Sequence, residues 1–256
     1  MLITILAAVA MQGPVTLSAA PLHYRVEAKT TLDQDLTSLG RGKQTGSLTT
    51  TAMITVTMID SADGQVVRAT VDSMKLVTTG AMAAQLPAAQ AAAAADSARG
   101  AWIHGYNVRG TLRGVPQPSI QNPALAPIMQ AVSVLFPGLR SGIKMGDHWS
   151  DTTRIDNDVQ GGHQLGNIIA TWTVTGVENG GLVLDGTSVT KVTTNGQSGQ
   201  TLSVDGGSRE HLVMAPRGPS RSASIESMSD VSSVQQAGGK PIPQRTTGLL
   251  KLTMIP

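Results

Sequence analysis

The segment Gly146-Asp147-His148-Trp149-Ser150-Asp151 places carboxylates, a histidine and a hydroxyl close together. These are the residue types of a nucleophilic triad, but a triad is assembled from distant chain segments rather than along one strand. On a β-strand, His148 and Ser150 would share a face with Cα atoms about 7 Å apart, and the carboxylates would point to the other face. The segment therefore favours a turn capped by Asp147, followed by Trp149 as a core residue.

The segment Asp156–Gly161 has the opening of a calcium loop, with oxygen ligands at alternate positions followed by a glycine. The twelfth position of such a loop holds a bidentate Glu, and here it is Asn167. Both flanks have strand patterns instead of the helical patterns that such a loop requires. We therefore expect a polar hairpin tip and no metal site.

The remaining candidates for chemistry are scattered along the chain. The histidines have no paired-ligand spacing, so the sequence predicts neither a metal nor another cofactor. Ser-x-x-Lys occurs at Ser141–Lys144 and at Ser188–Lys191, both without the companion motifs of penicillin-recognising enzymes. We expect a protein that is not an enzyme, with a hydrolase using His148 or His163 as the catalytic alternative.

The composition is that of a folded, nearly neutral chain. Of the 256 residues, 40% are hydrophobic, 14% charged and 2% aromatic, so the core must be built mainly from aliphatic side chains. The chain has no cysteine, which excludes disulfides and thiolate metal sites. Lys and Arg number 19 against 17 Asp and Glu, without any basic cluster, so we expect no nucleic-acid partner.

The amino terminus carries a short apolar run at residues 2–10. This run is too short to span a bilayer and is typical of a secretory signal peptide. We predict a signal peptide at residues 1–20, cleaved after Ala10 or Ala20, with a buried first strand as the alternative. No later segment reaches transmembrane length, and a lipoprotein anchor needs a cysteine at the cleavage point, which this sequence does not have. We therefore expect a periplasmic or secreted protein without a lipid anchor.

Most of the chain alternates polar and apolar residues with the period of two that β-strands require. Long strands are predicted from Leu22, over 48–59 and over 65–77, and one strand from Trp102 to about Leu112. Further strands are predicted over 149–158, 168–175, 182–192, 200–214, 221–234 and 245–255, with Gly-rich turns between most of them.

Two segments interrupt the alternation. The stretch 88–99 is nearly all alanine, which favours a helix, with a mobile linker over 81–99 as the alternative. The stretch 124–136 spaces its apolar residues on one helical stripe and ends before Pro137-Gly138. The predicted fold is α+β and mostly β: a curved antiparallel sheet, a half-barrel-like meander, wrapped around one or two helices in a single domain over 21–256.

Three short motifs carry a resemblance: Tyr24-Arg25-Val26, Asp63-Gly64 and Gly146-Asp147-x-Trp149. With these motifs the chain resembles a group of exported bacterial β-rich proteins classed as domains of unknown function. More remotely, it is similar to the periplasmic lipoprotein carriers, in which an open half-barrel wraps a helix. The resemblance to the carriers implies that acyl chains bind between the sheet and the helix.

We therefore expect a monomeric, non-catalytic envelope protein that binds an apolar small molecule or a lipidated partner between sheet and helix. The alternative is a structural or protein-interaction module of the envelope without a small-molecule ligand. The candidate ligand-binding residues are Leu125, Ile128, Met129, Val132, Phe136, Trp102 and Trp172.

Overall fold

The structure, a computed structural model, describes residues 20–61, 64–108, 111–136, 143–159, 162–196, 199–215, 219–234 and 239–256. Residues 1–19 of the predicted signal peptide therefore lie outside the described residues, as do Asp63 of the hairpin motif, Ser141 of the first Ser-x-x-Lys motif and the Pro137-Gly138 stop.

The described strands form a single antiparallel sheet. Their bounds are β1 Leu22–Asp35, β2 Lys43–Ser61, β3 Gly64–Gly80, β4 Trp102–Val108, β5 Thr111–Pro118, β6 His148–Val159, β7 Gly162–Glu178, β8 Gly181–Gly196, β9 Thr201–Met214, β10 Ser220–Val234 and β11 Ile242–Ile255. The helices are α1 Ala81–Gln85, α2 Ala88–Ala98 and α3 Ala126–Ser133.

The sheet has 11 strands in the order β5-β4-β3-β2-β1-β11-β10-β9-β8-β7-β6. The chain runs outward from the centre to one edge, passes through α3 to the opposite edge, and returns until β11 pairs with β1. The sheet is open and curved rather than closed, which confirms the predicted fold class.

The sequence prediction was wrong on the edge strand. It had one strand from Trp102 to about Leu112, whereas the structure has β4 and then β5, which pairs back on β4. Pro116 and Pro118 argue against a central strand because proline has no N–H to donate. At the edge of the sheet this loss is tolerated, and β5 is an edge strand.

The alanine-rich segment is helical, as the sequence favoured. The predicted stretch 88–99 forms α2, and the residues before it form the short helix α1, which was not predicted. Pro87 stands between the two because a proline cannot continue a helix. The face of α2 with Ala91 and Ala95 packs on Leu76 of β3. Helix α1 lies over Gly46 so closely that a Cβ added to this glycine would clash with the backbone N of Met82. Alanines and glycines thus let these helices approach the sheet closely.

The main core lies at one end of the long strands. Inward-facing residues of the central strands pack there against α3, among them Tyr24, Val26, Ile54, Leu184 and Leu252. Helix α3 contacts β4 and β5 as well as β1 and β11. The sheet must curve for one helix to reach strands that lie so far apart in its order, and its inward side is therefore concave.

Candidate functional site

Helix α3 and its flanks hold most of the predicted ligand-binding residues. Leu125, Ile128 and Val132 have no exposed surface, and Phe136 is 3% exposed. Met129 is partly buried and packs against the same core. The structure thus brings these five residues together, but in a closed core that a ligand would have to displace.

The carboxyl end of α3 is held by two buried residues. Ser220 Oγ donates to the carbonyl of Val134 at 2.8 Å, and Ser220 N donates to the carbonyl of Leu135 at 2.9 Å. The hydroxyl of Tyr24 donates to the carbonyl of Ser220 at 3.0 Å. Burial raises the pKa of Tyr24 far above its usual value, so this hydroxyl stays a donor.

The two predicted tryptophans lie on opposite faces of the sheet. Trp172 faces inward and packs against the core, where its ring covers Gly186 so closely that a Cβ there would lie 2.5 Å from Trp172 Cζ3. Trp102 lies on the convex side with the guanidinium of Arg68 over its ring at 4.8 Å and the ring of His104 at 5.3 Å. Trp102 is therefore not brought together with the helix.

The Gly146–Asp151 segment is the capped turn that the sequence favoured. Asp147 Oδ2 accepts from the backbone N of Lys144 at 2.8 Å, and Gly146 has φ +83°. Trp149 then enters the main core. His148 and Ser150 lie on the convex side of β6, and Ser150 donates to the carbonyl of Ala170 at 3.2 Å instead of bonding a histidine.

In the described part of the calcium-like segment, the carboxylates contact a histidine of the neighbouring strand. Asp156 and Asp158 bracket His163, with His163 Nε2 3.3 Å from Asp156 Oδ1 and His163 Nδ1 2.8 Å from Asp158 Oδ1. The hydrogen bond to Asp158 is the main reason that the pKa of His163 is raised. Within the residues that the structure describes, no group of three or more metal-ligating side chains could hold an ion.

Two hydroxyl–carboxylate–imidazole clusters on the convex face escaped the sequence analysis. Asp185 accepts from Thr175 Oγ1 at 2.6 Å and contacts His211 Nδ1 at 2.7 Å, and these bonds lower the pKa of Asp185. The hydroxyl is bonded to the acid and not to the imidazole, so this cluster lacks the nucleophile–base contact of a triad. In the other cluster Thr55 Oγ1 donates to Asp72 at 2.8 Å and lies 3.0 Å from His23 Nδ1, so this hydroxyl does contact an imidazole. Among the described residues no carboxylate is bonded to the ring of His23, so the acid that orients the base of a triad is missing there.

Beyond the core, the concave face continues over the distal halves of the strands. Neighbouring residues across the strands form rows there, set by the register of the sheet. The glutamate row comprises Trp172, Gly186, Glu210, Ile225, Leu250 and Ala28. The serine row comprises Ser188, Ser208, Ser227, Gly248 and Thr30. The threonine row comprises Thr190, Gly206, Ser229, Thr246 and Leu32. The valine row comprises Val192, Val204, Val231, Gln244 and Gln34.

We call the part of this surface that lies on β8, β9, β10, β11 and β1, from the glutamate row to the valine row, the trough. From the serine row to the valine row its side chains are half-buried, apart from the exposed Thr30. The described helices make their main contacts with β2, β3, β4, β5, β1 and β11, and not with β8, β9 or β10. The curvature of the sheet therefore accounts for the partial burial of these side chains, and the trough itself remains open to solvent.

Charge is sorted between the two faces of these strands. The convex face carries ion pairs such as Arg25–Glu27, Lys191–Asp205 and Arg245–Asp230. Of the described residues that form the trough, Glu210 alone carries a charge. The concave face is thus nearly neutral, although the chain has 36 Lys, Arg, Asp and Glu residues (19 and 17).

Glu210 lies where the trough meets the core. Its Oε1 accepts from Ser208 Oγ at 2.9 Å, and Ser208 Oγ lies 2.8 Å from Ser188 Oγ. Burial raises the pKa of Glu210, and the bond from Ser208 opposes this effect. The strand pattern could have revealed this residue, because the other inward positions of β9 (Leu202, Val204, Gly206, Ser208, Leu212 and Met214) are uncharged.

Two surface depressions, of about 830 and 790 Å³, lie over the distal halves of the strands, and the second is lined by convex-face residues such as Lys29, Arg209 and Glu226 as well as by the serine row. Strand residues line both of them, and no residue of α3 does. The first crosses β8, β9, β10, β11, β1 and β2 at the level of the valine row. Both depressions thus lie away from the helix on which the sequence predicted the ligand.

Comparison with known proteins gives a distant structural likeness and no more. The chain matches no protein-family model and no curated protein. Among solved structures, DynF from the dynemicin biosynthesis pathway of Micromonospora chersina is similar, with 9% identity, 95% of this chain and 89% of that chain covered, and a TM-score of 0.28. A score this low carries no argument about function.

Among the described residues, no helix is both long enough and apolar enough to cross a membrane.

Proposed function

We propose that the protein is a non-catalytic binder that holds an apolar ligand, either free or as the acyl chain of a lipidated partner, in the trough. The observation that carries this proposal is the sorting of charge between the two faces of the sheet. A concave, uncovered surface with a single charge gives up its water at a lower cost than the charged convex face when apolar surface covers it.

The proposed site lies in the trough and not between α3 and the sheet. The side chains of Leu125, Ile128 and Val132 are already removed from water, so burying a ligand against them would gain no hydrophobic free energy from the surface of the protein. The valine row keeps exposed apolar area: Val192, Val204 and Val231 are only half-buried. Contact with a ligand would remove that area from water.

The test uses N-phenyl-1-naphthylamine, an uncharged apolar probe whose fluorescence rises when it leaves water. We expect saturable binding to the wild-type protein and a loss of at least tenfold in affinity for Val192→Asp, because a carboxylate in the valine row restores hydration. Val189→Asp is the matched control, since Val189 lies on the convex face of the same strand and is 50% exposed. Equal losses in both variants, or no binding by the wild type, would reject the proposal.

We also propose that the chain is exported, on the strength of the apolar run at residues 2–10. The test is N-terminal sequencing of the protein recovered from the periplasm and medium of expressing bacteria. A mature chain that starts at Met11 or Pro21 supports export, and an uncleaved cytoplasmic chain contradicts it.

A second candidate function, an interaction module of the envelope, is favoured by an apolar row on the convex face. Ile169 pairs with Val189, and Val189 and Met228 flank Gly207 on neighbouring strands. Met228 is 50% exposed. A photo-crosslinking residue at position 228 would then capture a defined partner in expressing cells, and one at Asp33 on the same face would not.

A further inference from the structure

The lone charge in the trough is a carboxylate in unusual surroundings. Within its row, Glu210 lies between Gly186 on one side and Ile225 on the other, and Ile225 is 4% exposed. The next inward residue of its own strand, Leu212, is fully buried. Desolvation by such neighbours is costly for an ionised group and is normally offset by a cation.

No cation of the described residues offsets this charge. Among the described residues, the hydrogen bond from Ser208 is the one that the carboxylate of Glu210 accepts, and no Lys, Arg or His there forms an ion pair with it. The charged side chains of the neighbouring positions, Arg209 and Glu226, belong to the opposite face. Asp151 is the nearest other charge on the concave side of the register, on edge strand β6, three strands away.

We propose that Glu210 binds the protonated amine of a single-chain aliphatic amphiphile whose tail lies along the trough. This inference rests on the proposed function and names the class of its ligand. An ammonium supplies the cation and the N–H donors that the carboxylate lacks, and it repels no other group because the trough carries no further charge. A carboxylate headgroup would instead meet a like charge without any cation to offset it.

The dimensions of the trough suit such a ligand. Glu210 and Val204 are six residues apart on β9, which corresponds to about 20 Å of extended strand. Small residues lie between them on the inward side, Ser208 and Gly206 on β9 and Ser227 and Ser229 on β10. An extended chain of twelve carbons therefore fits between the carboxylate and the valine row.

The experiment compares dodecylamine, dodecanol and dodecanoate, which share a tail and differ in headgroup. Each is titrated calorimetrically at pH 7 below its critical micelle concentration. We expect dodecylamine to bind about ten- to a hundredfold more tightly than dodecanol, the range of a charge-assisted hydrogen bond, and dodecanoate to bind most weakly. The net charge of the chain, +2, would favour the opposite order, so this order cannot arise from the overall charge.

Glu210→Gln keeps the shape of the side chain and removes its charge. We expect this variant to bind dodecylamine no more tightly than dodecanol. Glu226→Gln, on the convex face of the neighbouring strand, is the matched control and should keep the preference for the amine. Because the headgroup comparison in the wild type needs no variant, a failure of Glu210→Gln to fold would not remove the test.

The possible failures are distinguishable. If the three amphiphiles bind the wild type equally, or if Glu226→Gln loses the preference as Glu210→Gln does, the role of Glu210 is wrong and the binding function stands. If none of the amphiphiles and no neutral probe binds, the proposed function itself is wrong.

Discussion

The hydroxyl of Tyr24 donates a hydrogen bond to the carbonyl of Ser220, a residue 196 positions later in the chain. Tyr24 belongs to β1 and Ser220 to β10, and β11 lies between these strands in the sheet. Ser220 in turn donates to the carbonyls that follow α3. The bond thus links the first strand, the returning half of the sheet and the helix that both halves cover.

Removing this hydroxyl should destabilise the protein without opening a cavity. Tyr24→Phe keeps the ring but leaves the buried carbonyl of Ser220 without this donor, at a cost of about 1–3 kcal/mol. Urea unfolding followed by circular dichroism measures this cost. Tyr106→Phe is the control, since Tyr106 is only half-buried, and its effect should stay below about 0.5 kcal/mol. Equal effects would contradict the role of the bond.

The packing of α3 predicts a larger loss. Ile128 is fully buried in the main core, so Ile128→Ala should lower the free energy of unfolding by about 2–5 kcal/mol through lost burial and the cavity left behind. Gln130→Ala, on the exposed side of the same helix, should change it by less than about 0.5 kcal/mol. A small effect of Ile128→Ala would mean that α3 does not pack in the core on the concave face of the sheet.

The contact of Gly186 with Trp172 gives a third prediction. A methyl group at position 186 would lie 2.5 Å from the indole ring, so Gly186→Ala must displace the ring and should cost about 1–3 kcal/mol. Tryptophan emission should shift to the red as the ring becomes more exposed. Gly176→Ala is the control, because the nearest atoms there, on Val183, are 3.8 Å away. An unchanged spectrum and stability of Gly186→Ala would place the ring elsewhere.

The burial of Glu210 predicts that the free energy of unfolding depends on pH. Its pKa is raised by burial, so the folded state favours the protonated form. The stability that this proton contributes is fully present below the pKa of the unfolded chain and is lost as the pH rises through the folded pKa. Compared with the wild type, Glu210→Gln should therefore gain stability between pH 3.5 and pH 7, measured by urea unfolding. Asp151, the other carboxylate on this side, is present in both proteins.

That prediction would be contradicted by a stability difference between the two proteins that stays the same at both pH values. Glu226→Gln, in which the exposed convex-face carboxylate is replaced, shows how much of any change comes from the overall charge.

The strand pattern predicted most of the fold because each long strand has one wet and one buried face. Alternation from Leu22 onward placed Tyr24 and Val26 on the buried side, where the structure has them. The short edge strand β5 was not predicted as a separate strand. Its prolines argue against a strand in the centre of a sheet, but they are compatible with a strand at the edge. A curved sheet was predicted because the helical stripe needs an apolar surface to cover it, but the particular strands that α3 contacts, β4 and β11 among them, have no local signal.

The location of the site was less predictable. A helical stripe such as Ile128 and Val132 predicts that an apolar surface is covered, but it cannot say whether a ligand or the sheet covers it. The trough depends on the register that aligns Val192, Val204 and Val231 across three strands. Such alignment between distant strands is invisible in any one of their sequences.

Methyl NMR with isoleucine and valine labels, during titration with N-phenyl-1-naphthylamine, tests most directly whether the trough binds the ligand. We predict that the methyl signals of Val192, Val204 and Val231 shift and saturate together, while those of Ile128 and Val132 remain in place. Shifts confined to Ile128 and Val132 would place the ligand between helix and sheet. That result, or the absence of any saturable shift, would contradict the claim that the trough is the binding surface.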